Sequence, residues 1–291
     1  MATLLVTLFT LIAFAANSLL CRMALGGELI DPVSFTTLRL ASGALALVTI
    51  SRLVSERKEP QQPRGSWASG LALFAYAGAF SLAYTSLNAG TGAVILFGSV
   101  QVTMIGAALK GGERLRPTQW LGSAAALIGL IYLVLPGISA PDPLGALLMM
   151  ISGIAWGIYS IRGKGVSAPI AMTARNFTRA APMAIAASLI AISMVYLEPY
   201  GILLALISGV VTSGLGYALW YKALRNLTTP QASIVQLMVP VLAAFGGVVF
   251  LSEEISSRLI IASTIILGGI TFAVIKMTPK RVRLGRGDRS D

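Results

Sequence analysis

Ten stretches of about 20 mostly apolar residues follow one another with little between them, and that spacing leaves this chain few folds to choose from. They run approximately over 2–24, 32–53, 67–87, 90–109, 117–136, 143–163, 168–195, 199–222, 230–250 and 257–276, here called segments 1 to 10. A helix rises about 1.5 Å per residue, so each is long enough to cross the roughly 30 Å hydrocarbon core of a bilayer. Charged residues make up only 11% of the 291, against the roughly 25% usual in soluble domains. The expected fold class is therefore an all-α polytopic membrane protein of ten transmembrane helices. Ala13-Phe14-Ala15 resembles a signal-peptidase site, but only the terminal amine supplies charge ahead of it, and the apolar run continues to about Leu20. A retained first helix is expected.

The positions of the lysines and arginines set the orientation. One side takes the connections after segments 2, 4, 6 and 8 and the tail after segment 10, with seventeen of them, from Arg52 to Arg289. The other side has two, Arg22 and Arg258, and Arg39, Arg175 and Arg179 lie within segments. Both termini are thus expected in the cytoplasm. The net charge of +11 is concentrated beside the membrane, so the basic tail reads as a topology signal next to anionic lipid, and no nucleic-acid partner is expected.

An internal repeat follows from sliding the sequence by 140 residues. Arg22 falls on Arg162, Arg39 on Arg179, Gly106 on Gly246, Glu113 on Glu253, Leu115 on Ile255, Gly129 on Gly269 and Val134 on Val274. The offset slips by three where Tyr84-Thr85-Ser86-Leu87 meets Tyr221-Lys222-Ala223-Leu224. Each half holds an odd number of segments, so the second half must be inverted relative to the first. The expected division is a first five-helix repeat over 1–138, an inverted second over 139–277, and a basic cytoplasmic tail over 278–291. Inverted repeats are the architecture of alternating-access carriers, whose site lies near the midplane between them.

These features resemble the drug/metabolite transporter superfamily, in particular its EamA-type members. The resemblance covers residues 1–277 and is carried by Asp31-Pro32 before Arg39, by Arg179, by the Gly-rich segment 4 leading into Glu113-Arg114-Leu115, and by Pro240, Gly246-Gly247 and Glu253-Glu254. Within that superfamily the chain is most similar to bacterial inner-membrane exporters of aromatic and other neutral amino acids. The resemblance implies a multi-pass protein of the bacterial cytoplasmic membrane. It also implies a cavity walled by segments 1, 3, 4, 6, 8 and 9, with segments 5 and 10 at the periphery.

The residues themselves narrow the mechanism. There is no histidine and one cysteine, Cys21, which removes histidine-based catalysis, histidine-held metals and an internal disulfide. No P-loop pattern is present, and no enzyme activity, metal or cofactor is expected. All eleven carboxylates fall in loops, the tail or segment ends. A mid-membrane carboxylate normally serves proton relays and cationic drugs. Segment 1 offers Asn17 instead of the glutamate of the small multidrug relatives. A neutral or zwitterionic solute is therefore expected, with movement that need not be tied to protons.

The candidate substrate-binding residues are Phe14, Asn17, Tyr76, Phe80, Gln101, Trp156, Tyr159, Ser213, Tyr217 and Gln236. Tyr76 and Phe80 share a face at i, i+4, as do Ser213 and Tyr217, and together with Trp156 they would give an aromatic-walled pocket with polar donors at its edge. Helix packing is the competing reading for each. A buried amide needs a partner, so Asn17, Gln101 and Gln236 either join helices or meet a solute. Pro240 cannot donate to the carbonyl of residue 236, which predicts a kink there with a free carbonyl. Gly98, Gly106, Pro240, Gly246 and Gly247 are the expected gating positions. Arg39 and Arg179 are expected to bond backbone carbonyls and fix the fold, with binding of a substrate carboxylate the less favoured alternative, and Trp67, Trp120, Trp220 and Tyr221 to form an interfacial belt, with Tyr84 near its outer edge. The functional expectation is a secondary exporter of amino acids or similar metabolites, working as a single chain by alternating access. Carriage of other solutes or drugs, and less readily a channel, are the alternatives.

Overall fold

A bilayer offers no partner for a bare backbone, so each crossing must satisfy its own hydrogen bonds. The computed structural model follows that rule. It describes residues 2–53, 65–112, 117–135 and 140–275, and helices dominate throughout. In order they are α1 (Ala2–Gly26), α2 (Pro32–Leu53), α3 (Trp67–Ala83), α4 (Ala89–Lys110), α5 (Pro117–Val134), α6 (Pro143–Gly163), α7 (Pro169–Ile190), α8 (Pro199–Ile207), α9 (Gly216–Leu224), α10 (Thr229–Val235), α11 (Met238–Leu251) and α12 (Ser257–Ile275). Glu113, the charges at 57–64 and the basic tail lie outside the described residues.

Local sequence explains the starts. Proline opens α2, α5, α6, α7 and α8, where its missing N–H costs nothing. Asp31 accepts from the N–H groups of Val33 and Ser34 at the start of α2, Asp142 from Gly145 at the start of α6, and Ser66 from Ser69 at the start of α3. Segment 7 ends sooner than expected: α7 stops at Ile190 and a short 3₁₀ turn, Ile192–Met194, follows.

Six helices among the described residues are long and apolar enough to cross a membrane: Leu4–Gly26, Pro32–Leu53, Ala89–Lys110, Pro143–Gly163, Pro199–Leu224 and Gln231–Leu251. Trp67–Ala83 and Ser257–Gly269 are shorter apolar helices. Bulky apolar side chains such as Leu45, Ile190, Phe245 and Phe250 point outward, as a lipid-facing surface requires.

Two departures from regular α-helix matter later. Between α8 and α9, Ser208–Leu215 winds as a π-helix without interrupting the span. Between α10 and α11, Gln236 and Leu237 break the helix. The carbonyl of Gln236, expected to be free, instead accepts from the N–H of Val239 at 3.0 Å. The chain tightens by one residue there rather than leaving an open acceptor.

The packing places α1, α3, α4, α6, α9 and α11 around the centre. α2 lies against α7, α3 and the π segment, and α5 and α12 pack chiefly on each other at the edge. The α5–α12 contact is close because Gly129 faces Ile266 and Gly269 faces Ala125.

Candidate functional site

Aromatic residues from four spans meet at one point. Trp156 on α6 is the hub, with ring centroids 5.2 Å from Phe14, 5.0 Å from Tyr76, 5.5 Å from Tyr159 and 4.6 Å from Tyr217. Phe80 extends the wall along α3, 5.4 Å from Tyr76. The four spans bring together rings far apart in sequence, edge-on for Phe14, tilted for Tyr76 and Tyr217 and stacked for Tyr159 against Trp156. The cavity between Phe14, Ser18, Tyr76, Phe80, Leu96, Phe97 and Trp156 holds about 10 Å³. That is room for no more than a water molecule.

A polar layer lies against this box. Asn17 Oδ1 accepts from Ser208 Oγ at 2.7 Å and Thr212 Oγ1 at 2.9 Å, both on the π segment, and Asn17 Nδ2 reaches Tyr76 Oη at 3.4 Å. Tyr217 donates to Tyr76 Oη at 2.9 Å. Gln236 is fully engaged: Oε1 accepts from Trp156 Nε1 at 2.8 Å, and Nε2 donates to the Ala232 carbonyl at 2.9 Å. Gln101 is buried on α4 with Oε1 unpartnered. Eight of the ten expected binding residues (Phe14, Asn17, Tyr76, Phe80, Trp156, Tyr159, Ser213 and Tyr217) thus join one connected cluster, and Gln236 attaches through Trp156.

Arg39 departs from its expected role. It is wholly buried and bonds hydroxyls rather than carbonyls: Nε donates to Ser213 Oγ at 2.8 Å, and Nη2 to Tyr76 Oη at 3.0 Å and Tyr217 Oη at 2.5 Å. Its guanidinium carbon also stands 5.3 Å from the centre of the Tyr76 ring and 5.1 Å from that of Phe80. Arg179, which a 140-residue offset aligns with Arg39, is half-buried and donates to the Arg175 carbonyl at 3.0 Å. Arginine at bilayer depth costs about 2.5–3.5 kcal/mol on insertion scales. The aromatic and hydroxyl surroundings offset that cost.

Trp220, Tyr221 and Tyr84 correct the belt expectation, for all three are fully buried. Trp220 lies 5.7 Å from Phe14 and donates to Ser160, while Tyr221 stacks on Tyr159 at 5.2 Å. Trp220 and Tyr221 are covered because α9 packs against α1, α6 and α7, while Tyr84 ends α3 and donates to the Ala89 carbonyl. Trp67 and Trp120 are exposed, as a belt requires. Ser208 and Thr212 were not singled out from sequence, although their i, i+4 spacing on an apolar segment is a legible signal.

The glycines differ in what surrounds them. α4 runs unbroken past Gly98 and Gly106, and a β-carbon on Gly106 would meet nothing within 4 Å. Gly246 receives Leu19, and Gly247 receives the Glu253 carboxylate, where a β-carbon would lie 2.4 Å from Oε2. Pro240 is buried in the first turn of α11, directly after the break.

That carboxylate ties one end of the bundle. Glu253 takes the Ala89 N–H on both oxygens, at 3.1 and 2.9 Å, so it sits on the positive end of α4. Arg22 Nε pairs with it at 3.2 Å, and Arg22 Nη1 donates to the carbonyls of Tyr84 and Thr85. α1, α3, α4 and α11 are thereby joined. Because both side chains are largely shielded, Glu253→Gln is expected to cost about 1–2 kcal/mol, less than a fully buried pair would. A double-mutant cycle with Arg22→Met, followed by thermal unfolding in detergent, should return a coupling above about 0.5 kcal/mol. A smaller coupling would mean that the pair is incidental. Beside this tie is a wide-mouthed hollow of about 370 Å³, lined by Ser86, Asn88, Asp142 and Glu254 among others. Asp142 there is already occupied by Gly145 N–H and Ser86 Oγ.

The chain is similar to known proteins over most of its length. The chain is 50% identical over 288 residues to an uncharacterized protein of Pseudomonas aeruginosa, covering 99% of this chain and 97% of the relative. It is 25% identical to the uncharacterized inner membrane transporter YedA of Escherichia coli K12, covering 87% and 84%. It is 26% identical to the threonine/homoserine exporter RhtA of Salmonella typhimurium, covering 80% and 79%. The model of the EamA-like transporter family matches residues 1–135 and 143–275. A helical membrane protein with an aromatic and polar centre, matched over nearly its whole length, belongs to the EamA-like transporter family and is a transporter rather than an enzyme.

Proposed function

We propose that this transporter is a secondary carrier of the bacterial inner membrane that exports aromatic and other neutral amino acids, or similar small metabolites, by alternating access. The observation that carries the reading is the Phe14–Tyr76–Trp156–Tyr217 box with the Asn17 and Arg39 polar layer against it. An apolar side chain suits the rings, and a charged or amide-bonding backbone suits the polar layer. A relative named as an exporter of threonine and homoserine supports the amino-acid class.

Ten crossings in two inverted halves, 1–138 and 139–277, with both termini and the tail 278–291 in the cytoplasm, are part of the same proposal. The family model matches two stretches of nearly equal length. Helix contacts also recur when the halves are exchanged: α3 on α6 is answered by α9 on α1, and α4 on α6 by α11 on α1. With this orientation the Arg22–Glu253 tie closes the external end. Gly246, Gly247 and Pro240, beside the α10–α11 break, are the proposed gate elements, with Gly98 and Gly106 their counterparts on α4.

Efflux of labelled phenylalanine, threonine and methionine from proteoliposomes tests the reading, with each unlabelled solute as competitor. Saturable, mutually competitive efflux is expected. Protein-dependent flux of other solutes without flux of any amino acid would overturn the substrate class while leaving the family intact.

A further inference from the structure

We propose that Arg39 is the anchor for a carboxylate on the transported solute, so that the site takes carboxylate-bearing molecules with an apolar body and rejects cations of the same shape. This deepens the amino-acid reading above and rests on it for the identity of the apolar body, though not for the anion.

The first ground is charge. A guanidinium stays protonated in any protein environment. Arg39 is wholly buried, yet every hydrogen-bond partner it has is a neutral hydroxyl. Among the described residues the one ion pair is Arg22–Glu253, so no carboxylate neutralises Arg39. A buried cation is ordinarily matched by an anion, and here that anion is missing from the chain's own described side chains.

The second ground is geometry. Nη1 has no partner, although it is buried. The guanidinium fork presents paired N–H groups that fit the two oxygens of a carboxylate. Nη2 is held by Tyr76 and Tyr217 hydroxyls that also bond each other. Tyr76 Oη accepts from both Arg39 and Tyr217, which leaves its own hydrogen to be donated to a solute oxygen. Their rings are at once two walls of the aromatic box, each in contact with Trp156. Anchor and box are therefore contiguous, and a solute of amino-acid size would span both once the packed centre opens.

The third ground is the repeat. Arg179, the counterpart of Arg39, spends its charge on a backbone carbonyl of its own helix. The hydroxyl cluster around Arg39 is thus not something the fold demands of an arginine at this position. A fixed positive charge against the box also disfavours lipophilic amines, which distinguishes this site from one built for cationic drugs.

The test uses the full chain, purified in detergent and reconstituted. Thermal stabilisation and inhibition of labelled-phenylalanine efflux are measured with L-phenylalanine, its amide L-phenylalaninamide, and 3-phenylpropionate, and likewise with threonine and threoninamide. The carboxylates are expected to bind about tenfold or more tighter than the amides. Arg39→Gln and Arg39→Lys are expected to erase that preference, with Lys recovering part of it because it keeps the charge without the fork. If both variants fail to fold, the ligand series on the unaltered chain decides alone. Equal competition by an amide and its parent acid, with phenylalanine flux intact, overturns the anchor and spares the amino-acid reading. Stabilisation by 3-phenylpropionate without flux of any amino acid supports the anchor and removes that reading. Failure of every carboxylate to stabilise or compete overturns the anchor.

Discussion

Trp156→Ala is expected to lower the unfolding free energy by about 3–5 kcal/mol, the range for truncating a large buried aromatic. The indole touches the rings of Phe14, Tyr76, Tyr159 and Tyr217, so its removal opens a cavity where four spans converge. It also strands Gln236 Oε1, whose bond from Nε1 is 2.8 Å. Trp156→Phe separates these effects. It keeps one six-membered ring in the box while losing the donor and the second ring, for about 1–3 kcal/mol. Chemical and thermal unfolding in detergent would rank wild type above Phe above Ala. An alanine variant within about 1 kcal/mol of wild type would show that the box is not a packed unit. Efflux of labelled phenylalanine should fall with the alanine variant by far more than with the phenylalanine one.

The second large effect is steric. A β-carbon on Gly153 would stand 2.4 Å from the Leu96 carbonyl oxygen and 2.7 Å from Ser99 Cβ. The first of these is backbone inside α4, which cannot rotate away. Gly153→Ala therefore forces α4 and α6 apart and is expected to cost about 3 kcal/mol, the upper part of the overpacking range. Gly106→Ala is the matched control on α4. With nothing within 4 Å of its added carbon, it should be neutral or stabilising by about 0.5–1 kcal/mol through the glycine entropy term. Melting both variants side by side checks the pair. Equal midpoints would mean that α4 and α6 are not held at the distance described.

Much of this architecture is legible in the sequence because the bilayer limits the options. Apolar length marks the spans and proline marks five helix starts. The aromatic box was legible too: Tyr76, Phe80, Trp156 and Tyr217 lie deep in their segments, where interfacial placement fails to explain them. Spacing along one helix cannot say which faces meet across helices. Trp220 and Tyr221 therefore read as belt residues, since their distance from a segment end is the same whether they face lipid or core. Arg39 read as a carbonyl ligand for a similar reason. Its hydroxyl partners come from α3, the π segment and α9, and those pairings exist only once the helices are packed. The carbonyl of Gln236 was read from proline chemistry alone, and the chain met that lost bond locally through Val239 N–H.

The wide winding at Ser208–Leu215 has a consequence for how that span can move. Each wide turn carries a surplus residue that ordinary α-helix would not hold. Were the surplus to migrate toward α9, each residue it passed would swing by about 100° around the axis. The rod would stay continuous and keep its length to within about one rise of 1.5 Å. Ser213, Tyr217, Trp220 and Tyr221 all lie within or beyond that winding, and the Asn17-bonding Ser208 lies at its beginning. The span would then behave as a screw with a slack thread: one part stays fixed on α1 while the other dials a different set of rings and hydroxyls toward the centre.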